Sequence, residues 1–207
     1  MMPPYVVLGD FLDGHAVAGL LDYTLLRQAD FQRTRVASNA VKPSIRVSTS
    51  LRDLGVYRKI LKAKILGIVP ELVARLRVTP VASPKLETEL VAHGDGAFYK
   101  RHIDTQTVHY ENVDLIRVLS GVYYFFSEPK AFSGGALRLY AIGGDPDRDF
   151  VDIEPECNSL LVFPSWAPHE VMPVHCPSGR FVDSRFAINC WVHRKKSDAD
   201  VRPREAG

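Results

Sequence analysis

Two neighbouring residues near the middle of the chain have the chemistry of metal ligands. His102 and Asp104 are separated only by Ile103. On a β-strand, side chains two positions apart point to the same face, so this imidazole and this carboxylate would lie side by side. A His-x-Asp spacing occurs by chance in many chains, and the pair is therefore a weak signal by itself. A metal centre also requires a third ligand from another part of the sequence.

A second segment offers that ligand. An apolar run over residues 160–163 ends at Pro164, and His169 follows directly after Pro168. Two histidines and one carboxylate form a facial triad, which leaves coordination positions open for substrates and suits non-haem Fe(II). The sequence therefore predicts that His102, Asp104 and His169 bind one iron ion.

A third segment contains an arginine in a strand-like pattern. Apolar and polar residues alternate over residues 184–191, which predicts a β-strand. The residues predicted to share its inward face are Arg185, Ala187, Asn189 and Trp191. A buried guanidinium needs an anionic partner. A dicarboxylate would serve, because arginine can bind a carboxylate through two parallel hydrogen bonds.

Further motifs accompany these residues in a characteristic order. They are Tyr99-x-x-His102-x-Asp104, residues 122–125, 133–140, 152–155 and 169–174, and Arg185 six residues before Trp191. Together they resemble the Fe(II)/2-oxoglutarate-dependent dioxygenases, in particular the prolyl 4-hydroxylase-like branch, over roughly residues 90–193. Each motif alone is weak, but the complete ordered set makes a chance match or a zinc site a much poorer explanation.

The resemblance implies a fold: a double-stranded β-helix, or jelly roll, with helices packed on one sheet. We therefore expect a mainly β protein with N-terminal helices, forming a single oxygenase domain over residues 1–207. Its parts would be a helical support region over about 1–80, the core over about 86–193, and a loose tail over 194–207. Helical spacing in residues 51–77 predicts that Pro70 either breaks this segment into two helices or starts the second one.

The resemblance also implies the cofactors and the residues around them. Fe(II) would be bound by the three predicted ligands, and 2-oxoglutarate would chelate the iron while Arg185 binds its far carboxylate. O2 would take the remaining position, and ascorbate is a further candidate cofactor. Tyr124, Asn189 and Tyr99 correspond to residues around the cosubstrate pocket. His93 stands nine residues before the first histidine ligand, where many relatives have a tyrosine.

A second arginine competes for the cosubstrate. Gly179-Arg180-Phe181 also resembles the family's spacing after the second histidine. Arg185 is preferred because the strand that follows it matches the family pattern. The segment between the second histidine ligand and Arg185 is longer than usual, and we expect residues 176–183 to form a surface hairpin that borders the substrate entrance.

The composition is that of an ordinary globular protein, with 207 residues, 46% hydrophobic residues and a net charge of +2. This charge does not indicate a nucleic-acid binder. No apolar run is long enough for a membrane span, and Met1-Met2-Pro3-Pro4 does not resemble a secretory signal. Three widely spaced cysteines fit a reducing cytoplasm better than a disulfide framework. We expect a cytoplasmic protein, and a homodimer is an open alternative to a monomer.

The predicted reaction is hydroxylation of a substrate C–H bond, with conversion of 2-oxoglutarate to succinate and CO2. A peptidyl proline is the leading substrate, and a free amino acid or another small molecule is the alternative. Residues 105–114 and 177–184 are the loops expected to decide between them. A catalytically silent metal-binding module and a zinc hydrolase are competing interpretations. The hydrolase would need a base near the metal, and Glu170, the obvious candidate, would point away from His169 on a strand.

Overall fold

The computed structural model describes residues 1–35, 40–110 and 113–196. Two α-helices lie in the N-terminal part, α1 (Gly14–Leu26) and α2 (Tyr57–Leu76). The strands are β1 (Val6–Leu8), β2 (Gln32–Arg33), β3 (Arg46–Val47), β4 (Thr49–Leu51), β5 (Lys85–His93), β6 (Phe98–His102), β7 (Thr107–Tyr110), β8 (Val113–Phe125), β9 (Ser133–Gly134), β10 (Leu137–Tyr140), β11 (Phe150–Ile153), β12 (Ser159–Pro164), β13 (His169–Val171), β14 (Val174–His175) and β15 (Arg185–Lys195). The last strand thus includes residues 194 and 195, which were predicted to belong to the tail, and residues 197–207 of that tail lie outside the described residues.

The strands form two large antiparallel sheets and one short strand pair. The larger sheet has the order β1-β12-β8-β15-β5-β4-β2, with β7 paired to β8. The smaller sheet has the order β11-β10-β13-β6-β3, and β14 pairs with β9. Buried residues from both sheets share one apolar cluster, so the sheets pack face to face. This arrangement confirms the predicted mainly β fold with N-terminal helices.

The larger sheet is buried on both faces. Successive side chains of a strand point to opposite faces, and β8 shows this clearly. Its Tyr123 belongs to the core shared with the helices, together with Leu61 of α2. Its Tyr124 belongs to the core between the sheets, together with Leu137 of β10. The helices thus support one face of this sheet, and the other face is available for a site between the sheets.

Helix α2 is continuous through Pro70, so the predicted break or restart at this residue is wrong. Proline lacks the N–H that would bond to the carbonyl four residues earlier, which favours interruption. Burial of one apolar face against the larger sheet outweighs this loss; its residues are Leu61, Ile65, Val69, Leu72, Val73 and Leu76. The helix ends at Arg77, which adopts a left-handed conformation with φ of 54°. Among the described residues, neither helix combines the length and the apolar character needed to cross a bilayer.

Strand register brings the predicted site residues together from distant parts of the chain. In the larger sheet, Arg185 of β15 pairs with His93 of β5, and Ala187 pairs with Tyr124 of β8. In the smaller sheet, His169 of β13 pairs with His102 of β6. The two sheets therefore present two different halves of the predicted site to each other.

Candidate active site

The three predicted metal ligands form one cluster where two inner strands of the smaller sheet end and begin. His102 is the last residue of β6 and His169 the first of β13. Asp104 Oδ1 lies 3.7 Å from His102 Nε2, and Asp104 Oδ2 lies 3.6 Å from His169 Nε2. One ligand atom from each residue lies within 4.8 Å of the others. This spacing allows all three side chains to bind the same ion.

Asp104 reaches this position from a loop, whereas a shared strand with His102 was expected. Strand β6 ends at His102, and the backbone N–H of Asp104 donates to the carbonyl of Ser165 over 2.9 Å. The N–H of Thr105 donates to the same carbonyl over 3.0 Å. The turn before β13 thus holds the Asp104 backbone in place of a β-ladder, and the carboxylate still lies beside the imidazole.

Backbone carbonyls orient both imidazoles. His102 Nδ1 lies 2.8 Å from the carbonyl oxygen of Lys100, and His169 Nδ1 lies 2.9 Å from that of Ala167. A carbonyl only accepts, so each Nδ1 carries the proton and donates. Each Nε2 then has a lone pair directed at the cluster, which is the form in which neutral histidine binds a metal.

Asp104 is held by two donors on one of its oxygens. Ser120 Oγ donates to Oδ2 over 2.7 Å, and Trp191 Nε1 donates to Oδ2 over 2.9 Å. Burial raises the pKa of Asp104, but the positive charges that His169 and His102 can carry, together with these two hydrogen bonds, outweigh it and lower the pKa below its usual value. The carboxylate is therefore ionised at neutral pH, and Oδ1 is the oxygen that these two bonds leave available.

The Trp191 hydrogen bond leads to a first prediction. Trp191→Phe keeps an aromatic ring but removes the Nε1–H donor, so Asp104 loses one of its two orienting bonds. Loss of such an orienting partner typically weakens metal affinity by about 10–100-fold. We expect a loss in this range for Fe(II), measured by anaerobic titration of the metal-free protein. Trp166→Phe is the matched control, because Trp166 is exposed. Equal Fe(II) affinities of the two variants would contradict the orienting role.

Arg185 lies on the larger sheet and is almost completely buried, with only 1% of its surface exposed. Its Nη1 lies 3.1 Å from His93 Nδ1, and its Cζ lies 4.8 Å from the ring centre of Tyr124. Its Nε and Nη2, and the Tyr124 hydroxyl, are buried without a hydrogen-bond partner among the described residues. A buried cation with unsatisfied donors is costly unless an anion binds it. The arrangement therefore fits a carboxylate.

Gly135 makes room for this arginine. A Cβ at position 135 would lie 2.7 Å from Arg185 Cδ and 2.9 Å from Val174 Cγ2, and the residue has a φ of +72°. An alanine there would clash with Arg185 and also strain the backbone. This role of Gly135 depends on a contact between distant strands and could not be predicted from local spacing.

His93 is held in its neutral form beside Arg185. Burial lowers the pKa of His93 well below 6.5, and the charges of Arg185 and Arg46 lower it further. The neutral ring can accept the Arg185 Nη1–H at Nδ1. The contact of His93 with Arg185 was not predicted from the sequence, which indicated only a position near the cosubstrate.

The neutral state of His93 predicts a pH dependence of stability. In the unfolded chain this imidazole gains a proton near pH 6.5, whereas in the folded chain it does not, so stability falls as the pH drops below about 6.5. Each such group contributes up to about 1.4 kcal/mol per pH unit. The pKa of His102 is also lowered, first by burial and then by His169, so His102 contributes to the same pH dependence. The contribution of His93 is therefore measured as the difference in slope between the wild type and a His93 variant.

We therefore expect His93→Gln to flatten the acid side of the stability curve by about one proton, measured by urea unfolding of the metal-free protein between pH 7 and 5. His175→Gln is the matched control, because the His175 side chain is 71% exposed, and His93→Gln should show the smaller slope of the two variants. An unchanged slope in His93→Gln would mean that His93 is protonated in the folded protein.

One cavity of about 610 Å³ joins these groups. It is lined by the three metal ligands and by His93, Arg185, Asn189 and Tyr99. Tyr99 stacks on the His102 ring, with 3.6 Å between ring centres, so it is a wall of the cavity. Asn189 lies on the same strand face as Arg185 and Trp191, as the alternation predicted. Tyr124 lies beneath Arg185.

The competing arginine lies elsewhere. The Arg180 side chain is 69% exposed and binds Asp183 through two hydrogen bonds of 2.7 and 3.0 Å. Phe181 beside it packs on Phe31 and Phe186, with 5.1 Å between ring centres in each case. The segment therefore folds onto the N-terminal region. Residues 177–184 do not line the cavity, so the expectation that this segment borders the substrate entrance is wrong.

Glu170 is engaged away from the metal cluster. It follows His169 on β13 and accepts a hydrogen bond of 2.7 Å from the Tyr140 hydroxyl. A zinc hydrolase would need this carboxylate free to activate a water molecule at the metal. Glu170 is therefore not the free base that the hydrolase interpretation requires.

Comparison with known proteins gives matches to oxygenases and hydroxylases. A family model described as the 2OG-Fe(II) oxygenase superfamily matches residues 88–193. An uncharacterised PKHD-type hydroxylase from Synechocystis sp. is 39% identical over 143 residues, which are 66% of this chain and 45% of that protein. The chain thus spans less than half the length of this relative.

Solved structures with similar folds include two prolyl hydroxylases. A prolyl-4-hydroxylase from Pseudomonas putida has a TM-score of 0.68 at 23% identity, covering 94% of each chain. A Trichoplax adhaerens prolyl hydroxylase, solved with a peptide fragment of the hypoxia inducible factor oxygen degradation domain, has a TM-score of 0.66 at 22% identity, covering 92% of this chain and 83% of that one. These likenesses confirm the predicted jelly-roll core.

Proposed function

The chain belongs to the 2OG-Fe(II) oxygenase superfamily, and from that premise we propose that it is an Fe(II)/2-oxoglutarate-dependent dioxygenase that hydroxylates a C–H bond of its substrate. The observation that carries the proposal is that one cavity contains two groups, each suited to bind a ligand. One is a cluster of two histidines and one carboxylate whose ligand atoms lie within 4.8 Å of one another. The other is the buried Arg185 with two unpartnered N–H groups.

In this proposal His102, Asp104 and His169 hold Fe(II). Two neutral imidazole nitrogens and one carboxylate oxygen suit this ion, and three ligands leave room for a chelating cosubstrate and O2. Bound together, Fe(II), 2-oxoglutarate and O2 supply an oxidant for the C–H bond and yield succinate and CO2. The protein itself contributes orientation and exclusion of water.

Arg185 and Tyr124 receive the far carboxylate of 2-oxoglutarate. The Nε and Nη2 of Arg185 and the Tyr124 hydroxyl are the donors that need an acceptor, and a carboxylate offers two oxygens to them. His93 accepts the remaining Nη1–H and keeps the guanidinium in position. Asn189 and Tyr99 line the same cavity, Tyr99 against His102 and Asn189 along the strand from Arg185.

For the substrate we propose a peptidyl proline, because both named structural neighbours are prolyl hydroxylases. A free amino acid or another small molecule is the second candidate, and the cavity of about 610 Å³ has room for either. Ascorbate as a reductant, a cytoplasmic location and a single oxygenase domain over residues 1–207 belong to the same proposal. Thr105 and Gln106 line the cavity and represent the first of the two predicted substrate loops.

The test is product formation. Protein loaded anaerobically with Fe(II) and 2-oxoglutarate is exposed to O2 with proline-containing peptides and, separately, with free amino acids. We expect succinate in step with a substrate that gains one oxygen atom, detected by mass spectrometry. Folded, iron-loaded protein that forms no succinate under any of these conditions would favour the silent metal-binding module.

A further inference from the structure

The cavity that contains the metal cluster is strongly basic. Besides Arg185, five arginines line it: Arg35, Arg46, Arg52, Arg58 and Arg117. The carboxylates in the same lining are Glu87, Glu89 and Asp104. The whole chain has a net charge of only +2, so positive charge is concentrated around this one cavity.

The carboxylates of the lining are already engaged. Glu87 binds Arg117 over 2.8 Å, and Glu89 binds Arg46 over 3.3 Å. The third carboxylate, Asp104, belongs to the metal cluster. Each acidic group of the lining therefore has a local partner other than Arg52 and Arg58.

Arg52 and Arg58 form a linked pair in this lining. Both are exposed, and Arg58 Nη2 donates to the backbone carbonyl of Arg52. Arg35 lines the same cavity. Arg52 directly follows β4, which pairs with β5, and Glu89 of β5 is the residue next to that pairing. Arg52 thus lies at the end of β4 in the larger sheet, and Arg58 lies in the first turn of α2.

A loaded site would keep this positive charge. The charges of Fe(II) and of doubly ionised 2-oxoglutarate cancel, and Arg185 is used by the cosubstrate. A concave site lined by one sign of charge focuses its field and attracts ligands of the opposite sign. The group that remains to be bound is the substrate, and a negatively charged substrate would complement the excess of arginines over carboxylates in this lining.

We propose that the substrate carries a carboxylate, and that Arg52 and Arg58 bind it. This inference rests on the proposed function and specifies its substrate class. The carboxylate can come from an acidic residue beside the target in a peptide or from a small carboxylic acid. A nucleic acid is disfavoured, because the arginines line one cavity that also contains two glutamates.

The test measures binding separately from turnover. Two fluorescent peptides are compared on protein loaded with Fe(II) and 2-oxoglutarate without O2: one has aspartates on both sides of a proline, the other has asparagines. An unlabelled dipeptide of aspartate and proline serves as a competitor, and a single-stranded oligonucleotide is a third probe. The variant combines Arg52→Gln with Arg58→Gln. The control combines Lys59→Gln with Lys62→Gln, which removes the same charge from exposed positions on α2 outside the cavity.

We expect the wild type to bind the aspartate peptide about tenfold more tightly than the asparagine peptide, or ~1.4 kcal/mol. Raising the salt concentration to about 1 M should reduce this preference, because the screening length then falls to about 3 Å. The arginine variant should lose the preference, and the lysine control should keep it. Competition by the dipeptide at the same affinity would assign the carboxylate to a small molecule, and its failure to compete would assign it to a longer peptide.

Other results would overturn the inference. Equal affinity of the wild type for both peptides, or an unchanged preference in a folded arginine variant, would show that these arginines do not select a carboxylate. Tighter binding of the oligonucleotide, lost in the arginine variant, would replace the carboxylate by a nucleic acid. Succinate formation by the wild type is measured in parallel, so that failure of the proposed function is distinguished from failure of this inference.

Discussion

In His169→Ala we expect no detectable succinate and no ternary complex with Fe(II) and 2-oxoglutarate. His169 is 4% exposed and supplies one of three ligand atoms, with its Nδ1 held by Ala167. Loss of an orienting partner already costs about 10–100-fold in metal affinity or activity, so loss of a ligand should cost more than about a hundredfold. The measurement is anaerobic titration with Fe(II) and 2-oxoglutarate, following the weak visible charge-transfer band of the chelate.

His175→Ala is the matched control for this experiment. His175 lies on β14 in the same part of the chain, but its side chain is exposed. We expect the control to develop the same band as the wild type. A full-strength band in His169→Ala would remove this residue from the metal centre, and with it the facial triad.

The second large effect is expected for Arg185→Ala. This change removes the buried guanidinium proposed to bind the far carboxylate of 2-oxoglutarate. Truncation of one partner in a buried, hydrogen-bonded charge pair costs roughly 2–5 kcal/mol. At about 3 kcal/mol the KM for 2-oxoglutarate would rise about 150-fold. The measurement is the initial rate of succinate formation over a wide range of 2-oxoglutarate concentrations.

Arg180→Ala provides the comparison within the same segment. Its guanidinium is exposed and bound to Asp183 outside the cavity, so the KM should stay within about twofold of the wild type. A larger effect in Arg180→Ala than in Arg185→Ala would reverse the assignment of the cosubstrate arginine. Circular dichroism of both variants separates this outcome from a loss of folding.

The features that could be predicted from the sequence are those that depend on residues close together in the chain. Alternation over residues 184–191 predicted which side chains share a face with Arg185, and the strand pairing agrees. The helical spacing after residue 51 predicted a helix, but its continuity through Pro70 depends on burial against the sheet, which no local pattern contains. Likewise, the order of the motifs predicted that His102 and His169 bind the same metal ion. The two residues are adjacent because β6 pairs with β13, which the sequence does not show.

The features that sequence reasoning missed depend on contacts between strands. Ser120 and Trp191 both donate to Asp104, and they are paired across β8 and β15. Trp191 had been placed on the inward face, but its partner could not be known without the register. The extended segment after His175 was expected near the substrate entrance because loops often border active sites. Phe181 instead anchors it to Phe31, an aromatic contact between residues 150 positions apart.

The two halves of the proposed site belong to different sheets, and this has a consequence for cosubstrate choice. The histidine ligands belong to the smaller sheet, whereas Arg185 and Tyr124 belong to the larger one. A dicarboxylate that contacts both groups must span the space between the sheets. The thickness of the packed apolar layer therefore determines how long its carbon chain must be. Packed interiors resist compression. A 2-oxo acid one carbon shorter would reach only one of the two sheets, and the core residues Leu137 and Ala187, which pack between the sheets, would help to set the length that the proposed site accepts.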